Sequence, residues 1–586
     1  MEDWNPKKLF SKTVFISAAT LIVMLSMQVQ SIEDVATRGL KSRVPVKPQF
    51  DEPVYEKSKP APLELEKVLP DPPNTPSSQD SITSSPQFKV ARILVTGSTV
   101  FTDAEMASML APYEGRMVTI DELQALRHTL SLSYFQRGYV NSGVIIPDQD
   151  IKSGTVELKV IEGQLTKLNL SGNDHLNDSY ILDRINLGVD KPLNVNDLQN
   201  ALRTIQRNKL IFKINAQLKP AKELGVAELD VVVTEADAQR LTIVVDNYRA
   251  PSIGAEEVVL SYSNGNLVGM GDAFNVSYSK SEGLDSVNLN YSIPLTTEET
   301  TLSIFYSQSD SEVVEKPFDE LDITYDSSDF GFNISTPLYK DNNSTFSLVT
   351  GMTFKESESF LLGEPFEFSA GSIDGTIKSR AFELGGSFVY RAASEVYAVS
   401  LTARQGLDIL DANKSSEDDI PDSEFLSFLG QGQYARRIES VPGSQLILRT
   451  AFQLSLDPLL PIDKLSVGGH GTVRGYRENQ LVRDNGLTAS AEFRYAIFAD
   501  DSGNDPHNFK LVPFLDWGSA WNENSPSQDD ETVNIYSAGL GFLWQPISGL
   551  NIETYWGEAL ESDRSDEGDD LQDDGLHFSI SYSQSF

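Results

Sequence analysis

No arrangement of side chains in this 586-residue sequence suits catalysis. Its five histidines, His128, His175, His470, His507 and His577, are scattered without metal-ligand spacing. Cysteine is absent, which excludes disulfide, thiolate and iron–sulfur chemistry. Neither a Gly-x-Ser-x-Gly elbow nor a phosphate-binding glycine loop occurs. The expectation is a protein that is not an enzyme and carries no cofactor and no metal. One stretch nevertheless offers chemistry of an electrostatic kind: Gly468-Gly469-His470-Gly471-Thr472-Val473-Arg474-Gly475-Tyr476. Its four glycines let the backbone adopt turns closed to other residues and lie close against a wall. Arg474 is the one long, permanently charged group in that stretch. His470 reads as a polar loop residue rather than a ligand.

Carboxylates that could receive Arg474 lie downstream. Thr488 to Tyr495 reads as a strand with Ala489, Ala491, Phe493 and Tyr495 on one face and Glu492 and Arg494 on the other. In Leu511 to Gly518, the face bearing Leu511, Pro513, Leu515 and Trp517 leaves Phe514 and Asp516 pointing the opposite way. If the apolar faces look outward and the glycine-rich loop folds inward, Arg474 can meet Asp516 or Glu492. In a wet channel that pair adds little stability. Its use is to hold a movable loop in one position.

The elements that would position these residues fall into three regions. Lys7, Lys8 and Lys12 precede an apolar run from Thr13 to Met27, the pattern of a secretory signal over residues 1–31. Residues 32–86 form a Pro-rich linker, with Ile32, Val35, Ala36 and Leu40 at helical spacing predicting a short helix over 32–40, weakened by Gly39.

Residues 87–163 and 164–236 read as two copies of one β-α-α-β-β module. The first has a strand over 88–95, a helix capped by Asp103, a helix after Asp121 and strands over 142–147 and 155–162. The second has a strand over 165–170, helices over 179–185 and 195–208, and strands over 212–219 and 227–234. The copies end alike, Val156-Glu157-Leu158-Lys159-Val160 against Leu229-Asp230-Val231-Val232-Val233.

From 237 to 586 period-two segments recur without a helix. In the last, Leu576, Phe578, Ile580, Tyr582 and Phe586 take one face and His577, Ser579, Ser581, Ser583 and Ser585 the other. A greasy face and a wet face over about ten residues is the signature of a membrane strand, and the region has room for about 16 such strands. Mean hydropathy of −0.26 is compatible with this, because only alternate residues of a barrel wall meet lipid. A net charge of −38 argues against nucleic acid as a partner. The loop 561–575, with eight acidic residues and one Arg, reads as solvated and self-repelling; its spacing matches no calcium loop.

These features together resemble the outer-membrane transporters of two-partner secretion, within the superfamily that includes the barrel-assembly proteins. The paired modules look like POTRA domains, and Tyr134-Phe135-Gln136-Arg137-Gly138-Tyr139 is similar to the usual pattern of the first. Asn266 to Asp272 looks like the family's early barrel turn. Val473-Arg474-Gly475-Tyr476 resembles the superfamily's loop motif, Phe514-Leu515-Asp516 its partner strand motif, and Phe586, with Tyr582, the terminal signal read by the barrel-assembly machinery. The resemblance implies a transmembrane β-barrel of about 16 antiparallel strands over 237–586, two periplasmic POTRA domains, and a pore loop over 461–486. It further implies a secreted exoprotein partner of the β-helical adhesin or haemolysin type, and contact with outer-membrane lipid and lipopolysaccharide. An assembly factor for barrels or autotransporters is the alternative within the superfamily, and a passive porin-like channel the alternative outside it.

Overall fold

The computed structural model describes residues 87–586 apart from 152–153, 342, 418–419, 501–504, 506, 524–531 and 562–569. The signal over 1–31, the linker and the helix expected over 32–40 lie outside the described residues. Two compact units are present, 87–237 with 266–271, and 238–265 with 272–586.

The first unit holds both modules. Module one comprises β1 (Gln87–Val90), β2 (Arg92–Thr96), α1 (Asp103–Leu110), β3 (Arg116–Thr119), α2 (Ile120–Gln136), β4 (Gly143–Ile145) and β5 (Thr155–Ile161). The single strand expected over 88–95 is broken at Ala91, because β1 turns aside to pair with β3, a strand between the helices that the apolar periodicity does not reveal. Asp103 is not the helix cap. Thr102 is, in a capping box in which its hydroxyl accepts from the Glu105 N–H and the Glu105 carboxylate accepts from the Thr102 N–H.

Module two comprises β6 (Gln164–Ser171), α3 (Asp178–Asn186), α4 (Val195–Gln206), β7 (Ile211–Pro220) and β8 (Val226–Glu235). The two three-stranded sheets repeat one topology: β2 runs parallel and β4 antiparallel to central β5, as β6 and β7 do to central β8. Alternation places Val156, Leu158 and Val160 of β5, and Leu229, Val231 and Val233 of β8, on the buried faces against the helices.

The second unit is a closed antiparallel barrel. Its strands are β9 (Gln239–Asp246), β10 (Glu257–Asn264), β11 (Ala273–Lys280), β12 (Leu284–Pro294), β13 (Thr301–Glu312), β14 (Ile323–Lys340), β15 (Ser344–Leu361), the two-residue flap β16 (Glu364–Pro365), β17 (Thr376–Arg391), β18 (Glu395–Gly406), β19 (Leu426–Arg437), β20 (Gln445–Ser455), the loop strands β21 (Leu465–Val467) and β22 (Leu481–Arg483), then β23 (Asn485–Ala496), β24 (Phe509–Trp521), β25 (Val533–Ile547), β26 (Leu550–Ala559) and β27 (Leu576–Ser585). Setting aside the flap and the loop pair, 16 strands form the wall. Closure is by β27 on β9, from Ser579 opposite Asp246 to Ser585 opposite Arg240. Phe586 exchanges two backbone hydrogen bonds with Gln239.

Alternation sorts the wall chemically. Leu241, Ile243, Val258, Leu260, Ile580 and Tyr582 project outward and are exposed, part of an apolar belt far larger than a soluble monomer presents. Serines such as Ser279, Ser286, Ser309, Ser327 and Ser357 turn inward and are buried.

Candidate functional site

Between β20 and β23 the chain folds into the barrel as a hairpin. Pro461–Asp463 makes one tight turn, then β21 pairs antiparallel with β22, Leu465 opposite Arg483. The loop ends at Asp484; Asn485 and Gly486, expected as its last residues, already belong to β23. Residues 468–480 form the hairpin tip. Its glycines serve the purpose their spacing suggests at two places: Gly468 lies at φ +118°, and Gly475 at φ +93°, where an added Cβ would sit 2.7 Å from the Gly557 carbonyl oxygen of β26. The tip is internally braced, with the His470 N–H on the Glu478 carboxylate at 2.6 Å and the Gly468 N–H on the Thr472 hydroxyl at 2.8 Å.

Val473 and Tyr476 anchor the tip in an apolar cluster with Val467, Leu481, Ala520 and Ile535. Val473 packs where β24 carries Gly518, whose missing side chain makes room for it. The Tyr476 hydroxyl donates to the Tyr536 carbonyl at 3.1 Å.

Arg474, between these anchors, is 4% exposed. Asp516 accepts from its Nε at 2.8 Å, its Nη2 at 2.9 Å and its backbone N–H at 3.1 Å. Glu492 accepts from Nη1 at 3.0 Å, and Ser490 from Nη2 at 3.2 Å. The geometry follows from the sheet. Ser490 of β23 lies directly opposite Asp516 of β24, and Glu492 is the next inward residue along β23. Phe514, the inward residue before Asp516, lies beneath the guanidinium, 3.7 Å from ring centroid to Cζ; Tyr555 of β26 lies at 4.8 Å.

The expected partners Asp516, Glu492 and Phe514 therefore converge on Arg474. The expectation of a wet, weak contact does not hold. The pair is buried, with Asp516 and Glu492 no more exposed than Arg474, so breaking it by removing one partner costs on the order of 3–5 kcal/mol rather than the fraction typical of a surface pair. The two carboxylates also differ. Glu492 is shared with Arg494 at 2.6 Å and Arg449 at 3.3 Å, both on the wall, whereas Arg474 supplies three of the hydrogen bonds to Asp516.

Several contacts are not among the sequence expectations. Tyr555 was accessible to the same alternation argument: in Ile552-Glu553-Thr554-Tyr555-Trp556, Trp556 faces out and Tyr555 in. His470 stacks on Tyr248 at 3.9 Å, with no metal-binding group among the described residues. The described part of loop 561–575 is solvated at Glu561, Leu571 and Asp574, as expected, but packed at Gln572, Asp573 and Gly575. Arg477 forks onto Asp573, with Nη2 to Oδ2 at 2.7 Å, and its Nη1 reaches Glu315 at 2.7 Å. The fully buried Gln572 accepts from the Glu478 N–H and donates to the carbonyls of Asn247 and Arg249. These contacts join residues distant in sequence, so neither spacing nor composition announces them. Tyr582 and Phe586, by contrast, are exposed on the outer face.

A barrel greasy outside and polar within, with its own hairpin packed against the inner wall, is the architecture of an outer-membrane pore. The family profile described as Haemolysin secretion/activation protein ShlB/FhaC/HecB matches residues 225–543, more than half of the chain, and that of the ShlB-type POTRA domain matches residues 88–163. The chain belongs to the haemolysin secretion/activation family.

Among its relatives, the outer membrane transporter CdiB of Escherichia coli is 24% identical over 489 residues, 81% of this chain and 79% of CdiB. The heme/hemopexin transporter protein HuxB of Haemophilus influenzae is 25% identical over 199 residues, 33% of this chain and 34% of HuxB. In fold, the structure of CdiB from Escherichia coli superposes with a TM-score of 0.60 at 19% identity, covering 100% of both chains. BamA from Haemophilus ducreyi lacking POTRA domains 1–3 gives 0.53 at 14% identity, covering 85% of this chain and 100% of that one. The protein is a two-partner secretion transporter that carries an exoprotein across the outer membrane, with its POTRA region in the periplasm. The CdiB and HuxB relatives are transporters rather than enzymes.

Proposed function

We propose that export proceeds by reversible withdrawal of the hairpin tip. In this reading Val473, Arg474, Gly475 and Tyr476 close the pore at rest, and Asp516, Glu492 and Phe514 are the wall groups that hold it. The observation that carries the reading is the clasp itself. A polar, bidentate contact backed by a small apolar cluster holds one defined position, yet releases into a polar lumen without exposing a large core. Cargo is caught first by the POTRA domains at 87–163 and 164–236. Each sheet leaves two strand edges unpaired by sheet partners, β2 and β4 in one and β6 and β7 in the other, where an extended segment can add as a strand. Transport uses no ATP and no cofactor, and folding of the exoprotein outside opposes its return.

The cargo class is a large β-helical adhesin or haemolysin, made with its own export signal as residues 1–31 are for this chain, and residues 32–86 act as a periplasmic linker. Outer-membrane lipid and lipopolysaccharide solvate the apolar belt. The barrel-assembly machinery reads Phe586 and Tyr582, so deletion of Phe586 lowers the amount of heat-modifiable barrel; an unchanged amount removes that role. The central test is deletion of residues 87–236. Secretion is abolished while a heat-modifiable barrel still assembles, and full secretion by the deleted protein would refute POTRA recognition.

A further inference from the structure

The hairpin is fastened at its neck as well as at its tip, and the two fastenings differ in kind. At the neck, the side chain of Asp463 is wholly buried. It accepts from Lys355 Nζ of β15 at 3.1 Å and from Arg404 Nη2 of β18 at 2.9 Å. Lys355 also donates to the Ile462 carbonyl at 3.2 Å, and Arg404 Nε pairs with Glu383 of β17 at 3.2 Å. Both feet of the loop are tied by one side chain: Gln453 of β20 donates to the carbonyls of Asp463 and Asp484, each at 3.0 Å. The Asp484 carboxylate in turn accepts from the Leu459 N–H at 3.0 Å, lies 3.4 Å from Lys464 Nζ, and accepts from the Glu523 N–H at 2.9 Å. Leu460 and Ile462 pack on Ile377 of β17.

Pulling the neck from the wall would break both ion pairs to the buried Asp463 and both Gln453 ties to the feet of the loop at once. The tip is different. A cavity lined by Thr472, Arg474, Ser490, Glu553 and Tyr555 adjoins it, so water can replace the clasp as it opens. The segment between is stiffened by the β21–β22 pairing and by the Ser466 to Asn479 hydrogen bond at 2.5 Å.

We propose that Asp463 is a positioning residue that fixes the pivot of the pore loop: the hairpin swings as a rigid finger about residues 459–464 and 484, and does not leave the barrel as a whole or unravel. This rests on the release of the tip proposed above and adds where the motion is centred. Lys355, Arg404 and Gln453 are the wall side of the pivot, and the clasp at Arg474 is its latch. After each export event the fixed neck returns the tip to Asp516.

The chain's lack of cysteine makes single thiols clean reporters. Val473→Cys reports the tip and Ile462→Cys the neck, both buried, so a small maleimide reacts only when that part opens. In the assembled full-length transporter, Arg474→Ala is expected to raise labelling of the tip thiol by about a hundredfold or more, while the neck thiol changes by less than about threefold. Adding Asp463→Asn to Arg474→Ala then raises labelling at the neck at least tenfold, on an order-of-magnitude scale for loss of a buried charge partner. Neck and tip accelerating together in Arg474→Ala overturns the pivot but leaves tip release standing. No acceleration at either thiol overturns tip release itself. If Ile462→Cys fails to assemble, Leu460→Cys, also fully buried, gives the same reading of the neck.

Discussion

Loss of Arg474 has the largest consequence that can be worked from this geometry. In the docked hairpin Arg474 supplies three hydrogen bonds to Asp516 and one to Glu492, at 4% exposure. When the tip swings out in the parent protein, Arg474 and Asp516 both regain water. In Arg474→Ala the docked state instead keeps Asp516 buried beside an alanine, and removal of one partner of a buried pair costs about 3–5 kcal/mol. At ~1.4 kcal/mol per factor of ten, the tip-open population rises by about two to three and a half orders of magnitude, limited by the reactivity of a freely exposed thiol.

Asp516→Asn leaves Arg474 its bond to Glu492 and a neutral acceptor in place of the carboxylate. Losing the charge from such hydrogen bonds costs about 1.5–3 kcal/mol, or one to two orders of magnitude. Glu492→Gln has the smallest effect on docking, because Arg474 keeps both side-chain bonds to Asp516 and the other partners of Glu492, Arg494 and Arg449, stay on the wall whether the tip is in or out. Maleimide labelling of Val473→Cys in the three backgrounds measures this order. Labelling of the Arg474→Ala protein at the parental rate, or a Glu492→Gln effect as large as that of Arg474→Ala, would refute the reasoning.

Two further outcomes follow from local geometry. Gly475→Ala places a Cβ 2.7 Å from the Gly557 carbonyl oxygen at a φ of +93°. It should therefore push the tip off the wall and lower secretion with the barrel still assembled; secretion at the parental level would remove the close approach as a requirement. In module one, hydrogen bonds from Arg137 and then from the Thr102 backbone hold the Glu105 carboxyl at about 2, below its usual 4.5. A depressed carboxylate stabilises the fold fully above its unfolded value and loses that contribution as pH falls through the folded one. The difference in amide-exchange protection of α1 between the parent and Glu105→Gln is thus present at neutral pH and fades from about pH 4.5 to about pH 2; a difference independent of pH would assign it to packing instead.

The alternation of inward and outward residues carried most of the barrel and the core of the clasp. Because side chains on a strand alternate strictly, fixing Leu515 and Trp517 as outward fixed Phe514 and Asp516 as inward, and the same step on β23 turned Glu492 toward the lumen. The helices of both modules were legible from apolar spacing, but β3 was not, since four residues with one buried apolar side chain carry no period. Thr102 was overlooked in favour of Asp103 because both suit a cap, and only the backbone angles separate them. What stayed hidden was everything assembled across the lumen. Asp463 meets Lys355 and Arg404, and Arg477 meets Asp573 and Glu315, only after the barrel closes. Burial of Arg474 was hidden for the same reason, as the groups around its guanidinium, Phe514, Tyr555 and Ser490, come from three separate strands.

The most direct test of the account asks whether cargo passes through the space that Arg474 vacates. A photo-crosslinking residue at Ser490, which touches the Arg474 guanidinium in the closed state, is compared with one at Leu515, on the lipid-facing side of the neighbouring strand, in cells where an exoprotein is stalled during export. The account predicts that the stalled exoprotein is captured from Ser490 and not from Leu515. Capture from Leu515 alone, with Ser490 still cross-linking only to the hairpin, would contradict it.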